Sequence, residues 1–184
     1  MNAIELLAVG EVSGTALEEL RADLASVFGV PCELLRERLD PTFAFHAERR
    51  QYHSSEILAR MRSATAPGAR RLGVTGVDLY IPILTFVFGE AELGGRCAVV
   101  SYHRLREEFY GLPADAEVVR QRLLKEAVHE LGHTIELTHC DDYRCAMAPS
   151  HAVEWIDVKE ATFCNDCRTA ALAWRKRNRK LTEK

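Results

Sequence analysis

His129, His133 and His139, three of the chain's seven histidines, fall within the run "HELGHTIELTH" (129–139), beside Glu130. Two histidines four residues apart on a helix share one face, one turn from each other. Neutral imidazole nitrogen is a preferred zinc ligand, and a rigid helix presents two of them at little entropic cost. Glu130 is rotated about 100° from His129 around the helix axis, so it can approach a water on such a metal without occupying a coordination position. This is the HExxH pattern, with the glutamate as general base. On a continuous helix His139 would lie about 15 Å beyond His129, against a zinc–nitrogen bond of about 2 Å. For His139 to be a third ligand, the helix must end and the chain fold back near Thr138. The competing reading of the pair alone is a solvated helical face with two surface histidines; the third histidine favours the metal site.

Four cysteines follow at once: Cys140 and Cys145, then Cys164 and Cys167 as a CxxC. Two short-spaced thiolate pairs suit a closed, tetrahedral, structural zinc site. Two disulfides and a redox CxxC are the alternatives. The first is disfavoured in a reducing compartment, and the second by the lack of a thioredoxin-like order of elements. Cys32 and Cys97 stand alone and read as small buried hydrophobes. Because His139 and Cys140 are neighbours, the two groups are expected to share a backbone segment, so that a metal on the cysteines supports the third histidine.

The elements that must position these groups come from a chain of 184 residues, 47% apolar and 28% charged, with net charge −3. One soluble domain over residues 1–184 is expected, in two parts: sheet-rich 1–114, then 115–184 with the site helix, the cysteine cluster and a last helix. The acidic balance argues against a general affinity for nucleic acid; the basic "WRKRNRK" (174–180) is the one contrary feature and suits a helix C-terminus. The opening "MNAIELLAVGEVSG" lacks the basic region and long apolar run of a signal peptide, and no segment has the length of a membrane span, so a cytoplasmic location without membrane attachment is expected. "IELLAV" (4–9), "TALEELRADLASVFG" (15–29) and "CELLRER" (32–38) read as strand, helix and parallel strand. "SSEILARMRSA" (54–64) reads as a helix and Pro67–Gly68 as a loop. "LTFVFG" (84–89) and "RCAVVSY" (96–102) read as neighbouring strands. The longest helical pattern spans 115–137, capped by Asp115, and a basic helix covers 167–180. The class is α/β, a mixed sheet packed on helices, and no Gly-rich turn follows the first strand as a dinucleotide fold requires.

The combined text "HELGHTIELTHC", "CAM" (145–147) and "CNDC" (164–167), with "FVFGEA" (86–91) and "VVSYHRL" (99–105), resembles the archaemetzincin family of metzincin-type zinc peptidases. The resemblance implies a twisted, mostly parallel five-stranded sheet with helices, and a cleft floored by the long helix. It implies two zinc ions: a catalytic one on His129, His133 and His139 with Glu130 as base, and a structural one on Cys140, Cys145, Cys164 and Cys167. Met147 would be the methionine of the turn beneath the metal. An edge strand within "TFVFGEAEL" would pair with an extended peptide or protein substrate. Glu136 departs from the pattern, since metzincins usually carry glycine there. A side chain costs on the order of 1–2 kcal/mol if the turn needs positive φ. His103 and Tyr143 are candidates for a second electrophile, while His46, His53 and His151 stand apart from any ligand spacing and Asp78 reads as a turn residue. The rival function is a zinc-stabilised peptide-binding or regulatory module that no longer cleaves.

Overall fold

In the computed structural model, residues 1–62 and 65–182 are described. β1 (Ala3–Val9), α1 (Gly14–Phe28) and β2 (Cys32–Leu39) form the expected crossover, with β1 and β2 parallel. The helix begins where Ser13 Oγ accepts from Ala16 N–H and stops at Gly29, whose φ of 61° returns its N–H to Ala25 O. A short hairpin, β3 (Phe45–His46) and β4 (Gln51–His53), leads into α2 (Ser54–Arg62). The helix was expected to reach residue 64; Ser63 and Ala64 lie outside the described residues. Then come β5 (Ala69–Thr75), β6 (Leu79–Tyr80), β7 (Gly89–Ala91) and β8 (Cys97–Ser101). The C-terminal part is helical: α3 (Ala116–Thr134), α4 (Val153–Val158) and α5 (Asn165–Thr182).

The main sheet has the order β2-β1-β5-β8-β7, parallel except for β7, which runs antiparallel to β8 at one edge. Leu6, Leu72 and Val100 face α1 and α3, which add Leu20, Leu24, Leu123 and Leu131 to one core. Val9, Cys97 and Val99 face α2 with Ile57 and Met61 in a second. The sheet is thus covered on both faces, as parallel sheets require.

Three departures from the sequence reading have physical causes. β5, the central strand, was not predicted, because "ARRLGVT" (69–75) carries two arginines and a glycine. Arg71 is satisfied across the sheet by Glu5, its register partner on β1, at 2.7 Å. On the other face, Arg70 Nε donates to Thr134 O at the end of α3 (3.2 Å). Second, most of "LTFVFG" is not strand. The carbonyls of Leu84 and Thr85 accept from Arg49 Nη2, and Thr85 O also from Gln51 Nε2, so side chains replace a ladder there and β7 begins only at Gly89. Third, α4 interrupts a stretch expected to be loop, and Asp78 is more than a turn residue: it binds Arg104 through both oxygens, at 2.6 and 2.7 Å.

Asp115 caps α3 as expected, accepting from Glu117 and Val118 N–H. The helix stops at Thr134, three residues short of the expected end. Leu137 N–H bonds back to Gly132 O and Glu136 N–H to His133 O, both at 3.1 Å, which is the Schellman closure. The residue that must be left-handed in this motif is Glu136, at φ 66°. Its carboxylate meets Arg177 on α5 at 2.8 Å, an exposed pair of small worth. Glu136→Gly is expected to remove the left-handed strain and raise stability by about 1 kcal/mol. For a chain of this size that is about 2–4 °C in Tm, readable by calorimetry. An unchanged or lower Tm would show that Arg177 and the α5 contact outweigh the strain.

Candidate metal centre and active-site cleft

The turn at Glu136 delivers His139 to the two helical histidines. The ring centroids of the three imidazoles lie 4.6, 5.3 and 5.1 Å apart, and one ring nitrogen from each falls within 4.8 Å of the others. Two rings are oriented by backbone carbonyls: His129 Nδ1 meets Ala146 O and His133 Nδ1 meets Leu137 O, each at 2.8 Å. A carbonyl only accepts, so these Nδ1 atoms carry the protons and both Nε2 atoms present lone pairs. Those lone pairs face each other at 3.0 Å. Such an approach is repulsive unless a cation lies between them, so the residues fit a metal ion. Burial pushes all three imidazoles below the usual histidine range, His129 furthest, with the Lys159 charge acting the same way on each. They stay neutral, the ligating form.

Glu130 is buried on the adjacent face of α3 and reaches a cleft of about 490 Å³. Residues 84–91 form one wall, α3 the floor, and residues 149–151 the opposite wall. Gly89 on β7 is a matter of space: a Cβ there would sit 2.6 Å from Glu130 Cγ. Burial, then the nearby Glu126 and, less, Glu90, push the Glu130 carboxyl well above the usual range, and Lys159 pulls it back. A cation held by the imidazoles would favour the carboxylate further.

Neither sequence candidate for a second electrophile lines this cleft. His103 Nδ1 is engaged with Gly76 O (3.1 Å) and its ring packs on Phe109, while Tyr143 is exposed in a separate hollow. His151, set aside in the sequence reading, does line it. His46 and His53 pack on Tyr80, away from the cleft.

The second group is Cys140, Cys145, Cys164 and Cys167, whose sulfurs all lie within 4.8 Å. All are free thiols, and Cys140 Sγ and Cys164 Sγ stand 3.8 Å apart. With zinc–sulfur bonds of about 2.3 Å, the edge of a tetrahedron is about 3.8 Å, so this set too fits a metal. Met147 and Cys164 N–H groups point at Cys145 Sγ (3.4 and 3.3 Å), which suits a thiolate. Cys32 and Cys97 are buried apart from this group, and burial pushes the Cys32 thiol up to about 12.

The two groups are joined by the segment 145–148. Cys140 N–H donates to Met147 O (3.0 Å). Met147 is buried against α3, where a Cβ at Gly132 would sit 2.3 Å from its sulfur. Beneath this segment lies a residue that the sequence did not reveal. Lys159 has a fully buried side chain, pairs with Glu126 at 2.8 Å, and donates to Ala148 O (3.1 Å) and Ala146 O (3.4 Å). Ala146 O is the carbonyl that also orients His129. No local pattern signals this, because Lys159 and Glu126 meet only through the fold.

Comparison with known proteins places this geometry. The model of peptidase family M54 matches residues 43–172. An archaemetzincin of Methanocaldococcus jannaschii is 43% identical over 159 residues, covering 86% of this chain and 87% of that one. Among solved structures, an archaemetzincin of Archaeoglobus fulgidus superposes with a TM-score of 0.79 at 38% identity, over 91% of this chain and 99% of that one. A zinc-dependent peptidase of Methanocorpusculum labreanum does so at 0.83 with 31% identity, over 91% and 99%. The chain belongs to peptidase family M54, the archaemetzincin family of zinc metallopeptidases.

Proposed function

We propose that this chain, acting as one metallopeptidase domain over residues 1–184, hydrolyses peptide bonds with His129, His133 and His139 holding a zinc ion and Glu130 as general base. A second zinc is held by the four cysteines. The observation that carries this reading is the facing of two unprotonated Nε2 atoms at 3.0 Å beside a buried carboxylate, at the floor of an open cleft. Zinc, when bound there, supplies a Lewis acid that makes water more acidic and polarises a carbonyl. Glu130 accepts the proton of the attacking water at a carboxylate oxygen and passes it to the leaving amine. Among the described residues β7 pairs only with β8, on one side, so its outer edge can take up an extended peptide by strand addition. Carbonyls 137 and 146 keep two imidazoles in the tautomer that offers Nε2, and Lys159 holds carbonyl 146 in place. Met147 supplies apolar packing beneath the histidines.

Glu130→Gln is expected to retain zinc in elemental analysis while peptide turnover falls on the order of 10²–10⁴-fold. Turnover retained in the zinc-loaded variant would remove Glu130 as base, and peptide binding without cleavage by the zinc-loaded wild type would mark a recognition module. Under graded chelation the wild type should lose one equivalent of zinc together with activity, and the second only with unfolding, because a four-thiolate site is closed. Cys140→Ser should weaken zinc binding at the histidines by about 10–100-fold, because Cys140 anchors the residue after His139. Two zinc ions of unchanged affinity would break that coupling. Lys159→Met strands the Glu126 carboxylate in the interior and should cost about 3–5 kcal/mol in denaturant unfolding. Adding Glu126→Gln should restore much of it; a single variant as stable as the wild type would show that the pair holds nothing.

A further inference from the structure

Beside the cleft lies a second hollow of about 460 Å³, lined by Tyr143, Trp155, Val158 and Pro149 with Asp141 and Glu154. Tyr143, Trp155 and Val158 are all more than half exposed, at 67%, 56% and 55%. Large apolar residues on a surface are ordinary singly, whereas a contiguous group in a concavity marks a binding surface, and Trp and Tyr are the side chains that most often anchor one. Nothing in the catalytic reading uses this hollow.

Three observations say what covers it. First, it adjoins the cleft: Pro149 lines both, and the Trp155 ring packs edge-on at 5.6 Å against His151 in the cleft wall. An extended polypeptide advances about 3.3 Å per residue and stands its side chains alternately to either face, so a substrate that passes the Pro149 side of the cleft can turn one side chain towards the hollow. Second, its charge is of one sign. Asp141 and Glu154 are the acidic side chains among its described lining residues, no lysine or arginine stands with them there, and the neighbouring Arg144 pairs with Glu160 at 2.9 Å. Third, its walls are anchored at both metal groups. Cys140 lines the hollow as well as belonging to the four-cysteine cluster, and Ala148 is held by Lys159. The concavity is therefore preorganised, which lowers the ordering cost of filling it.

We infer that this hollow is a substrate subsite outside the catalytic centre, which takes an aromatic or long aliphatic side chain of the polypeptide being cleaved and favours a lysine or arginine next to it. The inference rests on the peptidase reading for its occupant. It makes the enzyme selective for apolar-basic sequence rather than indifferent to sequence beyond the scissile bond. An apolar pocket of this kind discriminates between a filled and an empty fit by about 10–200-fold.

The test is a positional set of internally quenched peptides that carry Trp, Leu or Ala, with Lys or Asp beside it, at each position on both sides of the cleaved bond. Hydrolysis is read on the wild type, and affinity is read on the zinc-loaded Glu130→Gln variant by anisotropy of labelled peptides. At one position, Trp or Leu should exceed Ala by 10-fold or more in kcat/KM and in affinity. That ratio should fall towards 1 in the Tyr143→Ala/Trp155→Ala variant, and the Lys-over-Asp preference should fall in Asp141→Asn/Glu154→Gln. Hydrolysis with the same ratios in both double variants would overturn the subsite and leave the peptidase reading intact. Absent hydrolysis, with apolar selectivity in binding that Trp155 and Tyr143 control, would overturn the peptidase reading and leave the hollow as a peptide site. Equal binding of the Trp and Ala peptides everywhere would overturn the subsite, as would a dimer in light scattering that the Tyr143→Ala/Trp155→Ala variant abolishes, since a second copy would then be the occupant.

Discussion

The site depends first on α3 ending one residue after His133. An imidazole on a helix can meet a partner one turn away, and no third residue on the same straight helix can join them on one small ion. The backbone therefore has to reverse within the five residues between His133 and His139. The reversal is made by two hydrogen bonds, Leu137 N–H to Gly132 O and Glu136 N–H to His133 O. The same turn then orients the helix it ends, because Leu137 O receives His133 Nδ1. A helix end is normally a set of unsatisfied carbonyls that water or a cap must complete. Here one last-turn carbonyl, that of Thr134, is taken by the guanidinium of Arg70 from the middle of the sheet. The sheet, the helix end and the histidine cluster are thus one connected object, and the two arginines in β5 are part of the connection.

The cysteine cluster extends this object. Its first sulfur belongs to the residue after His139, and the N–H of that residue is held by Met147 O. Met147 lies under Gly132, midway between the glutamate of the site and its end, where no larger residue than glycine leaves room for the sulfur. Ala146 O is shared between His129 and Lys159. Segment 145–148 thus has one side on the thiolates and the other on the imidazoles, and neither group can move far without the other. Held rigid on both sides, the three nitrogens converge without much entropy left to lose when a metal binds.

The part of this that could be read from the sequence is the part made by local spacing. His129, Glu130 and His133 are defined by helical periodicity, the Cys164–Cys167 pair by its two-residue spacing, and the first crossover by alternating hydrophobic periods. The strain at Glu136 was legible only through the family resemblance, since metzincins usually carry glycine at that position. What stayed hidden depends on partners far apart in the chain. β5 is disguised because its arginines find Glu5 and the end of α3, 66 and 64 residues away. "LTFVFG" looks like a strand by composition, yet its carbonyls are taken by Arg49 and Gln51. His151 showed no ligand spacing because it lines the cleft rather than joining the three imidazoles, and a wall position has no period to betray it.

Lys159 shows why such residues are worth finding. A buried ammonium is unfavourable unless every donor is used and its charge is matched. Here the match is Glu126, which lies one turn before Glu130 on α3, so the pair stands beside a second buried carboxyl. Had Glu126 been apolar, the Lys159 charge that already pulls on Glu130 would have acted on it without the competing carboxylate. Had Lys159 been apolar, two carboxyls on consecutive turns would have shared one desolvated wall, and like charges raise each other's proton affinity. The pair separates the two tasks. Glu126 absorbs the ammonium, the ammonium fixes two carbonyls of the segment beneath the histidines, and among the described residues Glu130 forms no ion pair. A carboxyl in that condition responds to whatever cation arrives at the imidazoles, which is the condition a general base beside a metal needs.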